Sequence, residues 1–487
     1  MNRPQTIITT DMEVDDMNSL IHLCLYLNEF DLLGVIYTSS QYHFLGDGTH
    51  TLGEISPNYR CSGPNGMVRP RVIHGPDPAA KDLYDFRPFE KGWIENLWNN
   101  QYREAYENLK KHAEGYPTPE YLLSITKYGN IEFEGDVRFD TEGSKMIEEE
   151  LLKEKEDILY LQSWGGVNTI VRSLLSIYQQ YHETDKWQDI YDRIIRRVRL
   201  LGVFNFMGQD NSYLDNRINE LYPDLVIMAT QHVYGVYSFD KVVPDDCAYM
   251  FEADWMKKNI HDGNGPLMEM YHLYGDGQYV PGEAELYQFG INSTLDFGKP
   301  GIPPVKYEPF TFLAEGDSNT YIPLISFGTD GLTDEESPTL LGYFRKEKDL
   351  EKVDRNTKNA CFIKAYQEDF AVRAKWCVSE FEDAVHPLKV TLNKNVTYAV
   401  PAEVISLKSM IKDYDGKGYT VKWQLMPQYS RYHGNGRVYI SHKNSVDTSV
   451  IIPADCKPGD MFFILLEARN KADIPTTRYA QVKIIVI

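Results

Sequence analysis

Thr6-Ile7-Ile8-Thr9-Thr10-Asp11-Met12-Glu13-Val14-Asp15-Asp16 is the stretch whose reading decides the fold. Its first five residues form a short β-branched, apolar run of the kind that makes a buried strand, and four carboxylates follow within six residues. An acidic cluster at a strand end lies where open α/β sheets place their ligands. Carboxylates this close repel one another unless a cation sits among them, and a hard divalent ion with oxygen ligands is the usual answer. The competing reading is a solvated acidic turn capping a helix that starts near Met17, since acidic residues favour helix N-termini.

Outward from this stretch, the spacing predicts a helix over 18–28, a strand over 32–38, a helix over 144–154 and a strand over 158–163. Helices over 167–181 and 187–197 and strands over 199–205 and 225–229 continue the alternation, which implies parallel pairing in an α/β domain. The long stretches 41–117 and 263–306, rich in Gly, Pro and aromatic residues, read as lids or binding surfaces. The character changes near His386-Pro387. From Leu388 onward, period-two segments separated by turns, with Trp423 inside one of them, predict a small β-sandwich of the immunoglobulin-like kind. The expected organisation is an α/β domain over 1–385 and an all-β domain over 386–487. Asp413 and Asp415 in the turn of the second domain read as a surface turn rather than a calcium loop.

With 487 residues, 42% of them hydrophobic, the chain can bury a sizeable core. A formal net charge of -21 argues against a nucleic-acid polymer as partner, because phosphate binding needs concentrated Lys and Arg. The basic cluster 193–199 falls in a helical stretch and reads as a solvated face or as partners of neighbouring acids. Six scattered cysteines without CxxC spacing indicate neither a zinc site nor a disulfide framework. No run approaches the length of a membrane span, and residues 1–5 hold no signal-peptide core. The expected location is the periplasm or the exterior, with a leader removed; the cytoplasm is the alternative.

Residues 8–16, the helix after them and the strand ending in Ser39-Ser40 resemble the opening of the inosine-uridine nucleoside hydrolase superfamily. The resemblance is closest to its bacterial nucleoside-hydrolase-like branch, whose members carry an immunoglobulin-like domain behind the hydrolase-like one. Further blocks similar to that branch are Gly143-Ser144, Trp164-Gly165-Gly166-Val167-Asn168-Thr169, 205–211, Glu315-Gly316-Asp317-Ser318 and the closing segments 463–467 and 475–479. What the resemblance implies is a mostly parallel sheet flanked by helices and a calcium ion held by Asp11, Asp16, Asp317 and the backbone carbonyl of Trp164. Asp15 would meet the sugar hydroxyls, and Asp11 would also serve as the base that takes a proton from the attacking water. Ser39, Ser40, Gln209, Asp210 and Asn211 stand where the family contacts substrate, with polar turns as their bland reading.

The chain departs from the family in three places. Thr9 replaces the usual first aspartate, Met12-Glu13 replaces a Pro-Gly turn, and Gly316 stands where nucleoside hydrolases proper carry a histidine that helps the base depart. Glu315 is then the candidate proton donor. His261-Asp262 imitates the missing pair but follows an amphipathic helical stretch and reads as a helix end. Asn168 and Thr169 read as caps of the helix after the glycine pair. The implied activity is calcium-dependent hydrolysis of a pentofuranosyl bond in a small molecule or oligosaccharide, with a glycan-derived O-furanoside ahead of a nucleoside. A saccharide-binding protein on the same scaffold is the alternative from another class.

Overall fold

The structure, a computed structural model, describes residues 3–40, 43–55, 83–202, 219–229, 233–234, 239–278, 280, 307–346 and 356–487. Six parallel strands build the central sheet: β1 (Gln5–Thr10), β2 (Asp31–Tyr37), β3 (Thr126–Tyr128), β4 (Leu159–Trp164), β5 (Val198–Gly202) and β6 (Val226–Ala229). They lie in the order β3-β2-β1-β4-β5-β6, and the short strand Arg345–Lys346 adds an antiparallel edge beside β6. Strand order therefore reverses between β1 and β4, which opens a crevice at their C-terminal ends. The register sets Thr10 opposite both Trp164 and Tyr37, so the three strands end level at that crevice.

Both faces of the sheet are covered, as parallel sheets require. Ile7 and Ile8 show why the strand needs apolar residues at consecutive positions. Ile7 packs with Ile36, Leu161 and the helices Glu142–Leu152, Asn168–Tyr181 and Trp187–Arg197, whereas Ile8 packs into the larger cluster on the opposite face. That larger cluster holds α1 (Val14–Cys24), and every residue of α1 is buried. Arg197 of the basic cluster is itself buried, with its guanidinium on the Glu150 carboxylate and carbonyl.

Helix α1 begins at Val14, not near Met17 or Asn18, and ends at Cys24, with a 3-10 turn over Leu27–Glu29 behind it. Glu13 starts the helix by accepting the Met17 N–H at 3.0 Å, so Asp15 and Asp16 occupy the first helical turn, where negative charge is favoured. The region 83–117 is also less loop-like than its composition implied. Trp93–Leu97, Trp98–Tyr102 and Arg103–His112 follow one another as helical segments, with Trp98, Tyr102, Ala105 and Leu109 buried along one face.

From Lys389 the regular structure is β apart from a 3-10 turn at Pro427–Tyr429. A four-stranded sheet in the order Val396–Ala399, Thr477–Val486, Met461–Asn470, Tyr419–Leu425 faces a three-stranded one in the order Val404–Leu407, Thr448–Ile451, Tyr439–Ile440. Their shared core includes Trp423, Leu407, Val450, Ile464 and Val482. The strands Val404–Leu407 and Ser409–Lys412 were not evident in the sequence, because each spans only four residues and two of those are exposed. The turn at 413–418 is a hydrogen-bonded surface turn: Asp413 accepts the N–H groups of Asp415, Gly416 and Gly418, and Asp415 holds His386.

The outer face of the four-stranded sheet is not solvated. Met461, Phe463, Leu465 and Tyr479 belong to the same continuous core as α1 and the helix Ile363–Trp376. Two arginines of adjacent strands close this junction. Arg469 makes a bidentate pair with Glu368, at 2.5 and 2.6 Å, and Arg478 meets Asp369 at 2.8 Å.

Candidate metal centre

The crevice between β1 and β4 is built by a tight connection from strand to helix. Met12 adopts a left-handed backbone (φ 63°), which costs a non-glycine residue about 1–3 kcal/mol and persists only where its surroundings impose it. Thr10 supplies part of that constraint. Its hydroxyl donates to Asp16 Oδ1 at 2.5 Å and accepts the Met12 N–H at 3.1 Å, which ties the end of β1 to the first turn of α1. Glu13, facing the other way, lies 3.4 Å from Arg87 and 3.9 Å from the His43 ring. Burial, and then the Arg87 charge, hold His43 well below the usual histidine range, so its ring is neutral.

Asp317 arrives from the far end of the α/β region, immediately before the short helix Ser318–Tyr321. Asp15, Asp16 and Asp317 are all buried, and each offers a carboxylate oxygen such that all three atoms lie within 4.8 Å of one another. Burial raises the Asp16 carboxyl well above its ordinary value of 3.8; the charges of Asp317, Asp11 and Asp15 add to the rise, and the Thr10 hydroxyl partly offsets it. This donor set fits a divalent ion on two grounds. Its atoms are oxygens, which suit calcium or magnesium rather than a softer metal, and a cation at that point would relieve the repulsion that raises Asp16.

Asp11 flanks this trio. Its carboxyl packs on Gly165, where a Cβ would come within 2.7 Å of the Asp11 Cγ and where φ is +148°, so glycine is required there. Gly166 is equally constrained, because a Cβ would strike the Ser39 carbonyl at 1.8 Å. The glycine pair thus lets the end of β4 close onto both β1 and β2. Trp164 is fully buried at the last position of β4, its carbonyl accepting the Asp11 N–H at 3.5 Å and its indole N–H directed at Thr320 at 2.7 Å.

The other expected site residues fall in different places. The Ser39 hydroxyl is 3.0 and 2.9 Å from the carbonyls of Asn130 and Phe133, and Asn168 Nδ2 donates to it at 3.0 Å, so it knits the loops behind β2. The Ser40 hydroxyl accepts the His43 N–H at 3.3 Å. Asn168 and Thr169 do not cap the helix they begin. Asn168 bonds to Ser39 and to the Asn130 carbonyl, and the Thr169 hydroxyl accepts the Asn130 N–H at 2.9 Å. Gln209, Asp210 and Asn211 lie outside the described residues. His261 and Asp262 pair with each other at 2.8 Å at the end of a helical segment, as expected of a helix end.

Glu315, the candidate proton donor, lies inside a hydrogen-bond cluster. It is completely buried, and its two oxygens are taken by His22 Nδ1 at 2.8 Å, the Ser318 hydroxyl at 2.6 Å and the Tyr271 hydroxyl. A carboxylate enclosed by three donors and fully withdrawn from solvent is not placed to protonate a departing group. Sequence reasoning also missed Thr10, Asn18, Ser19 and His22. The available signal was three polar residues at positions 18, 19 and 22 of a helix otherwise apolar in its middle.

Residues 5–344 match the family model described as "Cellulose-binding Sde182, nucleoside hydrolase-like domain". A search of the curated proteins found no match. Among solved structures, a nucleoside hydrolase-related hypothetical protein from Saccharophagus degradans, described as associated with carbohydrate metabolism, aligns over 100% of both chains with 20% identity and a TM-score of 0.68. That likeness establishes the fold. An endo-beta-1,4-mannanase from Thermotoga petrophila (13% identity, 100% of this chain and 97% of the other) reaches a TM-score of only 0.16 and carries no argument. The order of strands, the acidic crevice at the β1–β4 reversal and a family match over more than half of the sequence agree, and the chain belongs to the nucleoside hydrolase-like, cellulose-binding Sde182 family.

Proposed function

We propose that this protein is a calcium-dependent glycosidase that cleaves a pentofuranosyl bond, with a glycan-derived O-furanoside as the favoured substrate and an N-ribosyl nucleoside as the alternative. The observation that carries this reading is the convergence of the buried Asp15, Asp16 and Asp317 oxygens within 4.8 Å at the strand-order reversal. Asp16 and Asp317 would hold the ion, with Asp15 and Asp11 beside them and the Trp164 carbonyl as a further oxygen. Bound calcium would supply Lewis acidity, orienting two vicinal sugar hydroxyls and a water. Asp11 would take a proton from the attacking water as the water oxygen bonds to the anomeric carbon, and the glycosidic bond would break with its electron pair on the departing group, which takes up a proton from solvent. The surrounding carboxylates stabilise the positive charge that develops on the sugar ring. Asp15, in the first turn of α1, accepts a hydrogen bond from a sugar hydroxyl.

A second reading, a saccharide-binding protein that does not cleave its ligand, is favoured by the position of Glu315. With that carboxylate enclosed and Gly316 beside it, neither residue preceding Asp317 presents an acid to the leaving group. The test is a panel of nucleosides and furanose-containing oligosaccharides, assayed with calcium and with chelator, for the parent and for Asp16→Ala. Calcium-dependent sugar release lost in the variant supports the glycosidase. Calcium-dependent retention of a saccharide without release supports the binder, and neither result would leave both readings without support.

A further inference from the structure

We propose that Glu315 is the positioning residue of this metal centre: held by His22, Tyr271 and Ser318, it fixes Asp317 opposite Asp15 and Asp16 and so sets which size of ion the site accepts. The inference rests on reading the acidic trio as a metal centre. Asp15 and Asp317 come from opposite ends of the α/β region, so covalent geometry cannot set the spacing of their oxygens. Helix α1 does it instead. Asp15 and Asp16 sit in its first turn, and Asn18, Ser19 and His22 follow at intervals of three and four residues, which brings them onto one face.

That face grips the segment around Asp317 from both sides. Before it, the Asn18 amide donates to the Ala314 carbonyl at 3.0 Å, and His22 Nδ1 donates to Glu315 at 2.8 Å. After it, the Ser318 N–H donates to the Ser19 hydroxyl at 3.0 Å. Asn18 also exchanges two hydrogen bonds with the backbone of His272, next to the tyrosine that bonds Glu315. The His22 ring is stacked on Phe370 with centroids 3.5 Å apart, which fixes its orientation. A buried polar network is a poor way to gain stability, because apolar residues of the same volume often serve as well. What this one adds is a defined geometry for the carboxylate two residues further on.

Outer partners of this kind are each typically worth about 10–100-fold in metal affinity. The experiment is calorimetric titration with calcium and with magnesium of the full chain, Glu315→Gln, Tyr271→Phe, Ser19→Ala and, as a control, Leu466→Ala in the sandwich core. Glu315→Gln is expected to weaken calcium binding about 10–100-fold and to reduce the preference for calcium over magnesium, since that preference depends on site rigidity and size. Tyr271→Phe and Ser19→Ala should show smaller changes in the same direction. Leu466→Ala should lose stability yet keep both the affinity and the ratio, which separates positioning from general loosening. Parental affinity and ratio in Glu315→Gln would overturn the inference and leave the metal centre standing. If Glu315→Gln does not fold, unchanged ratios in both milder variants overturn it equally. A parent chain that binds no calcium overturns the metal centre and this inference with it.

Discussion

Two groups of buried carboxylates in this molecule meet opposite electrostatic fates. At the junction with the β-sandwich, burial alone would raise Asp369, but the charges of Arg478 and Arg373 outweigh it and hold the carboxyl below its ordinary 3.8. Tyr26 and both arginines hydrogen-bond or pair with it, at 3.0 Å for Tyr26 and Arg373 and 2.8 Å for Arg478. At the β1–β4 crevice burial pushes the Asp16 carboxyl up, and its charged neighbours Asp317, Asp11 and Asp15 push it further instead of offsetting the rise. Acids answered by arginine are cement. A carboxyl pushed up by burial and by neighbouring carboxylates, as Asp16 is, costs stability until a cation arrives, and proteins retain such a cost where it serves binding or chemistry.

The comparison can be broken most forcefully at the junction. Asp369→Ala takes their shared acid from the buried Arg373 and the half-buried Arg478 and should cost about 3–5 kcal/mol in denaturant unfolding. A loss under 1 kcal/mol would mean that the junction is held by its apolar contacts alone. At the crevice the opposite device should appear. Calcium at one hundred times its dissociation constant should stabilise the parent by about 2.7 kcal/mol and leave Asp16→Asn unmoved, as thermal melts with calcium or chelator would report.

A smaller effect of opposite sign sharpens the contrast. In chelator, Asp16→Asn should match or exceed the parent's stability, by about 1 kcal/mol, because it removes one of several repelling charges. Loss of stability in that variant would show the cluster to be structural. The smallest expected effect concerns acid. Asp369 is depressed in the folded state, so its contribution is present above the unfolded value of 3.8 and is lost as pH falls below 3.8 through the folded one. Melts of the parent and Asp369→Asn between pH 6 and pH 3 (roughly the range over which carboxylates titrate) should therefore converge towards the acid end.

The legible parts of this fold were those with local signals. A β-branched run followed by Asp11, Asp15 and Asp16 is enough to locate a strand end and an acidic cluster beside it, and 187–197 carried a helix whose bounds match the structure. The glycine pair after Trp164 was visible, although its reason, the closeness of Asp11 and of the Ser39 carbonyl, is a tertiary fact. The surroundings of Glu315 were not legible, because a sequence records its nearness to Asp317 but not the three donors that come from 22, 271 and 318. The onset of α1 was misjudged because all eleven of its residues are buried, which leaves no exposed stripe to mark a period. The helical segment around Trp98 was overlooked although its buried positions, 98, 102, 105 and 109, follow the 3.6 period; the turn-rich residues before it obscured the signal.

The single core that runs from α1 through the helix Ile363–Trp376 to Phe463 and Tyr479 bears on how this chain can be inherited and handled. The family match stops at 344, ahead of that helix, and a boundary drawn there or at 386 would cut through packed side chains rather than a linker. Either cut would leave each fragment with a bare apolar face, and the cut at 386 would also part Asp369 from Arg478. The sandwich is therefore less a detachable module than the second half of one heritable unit, and transplanting the crevice onto another scaffold means moving both halves together.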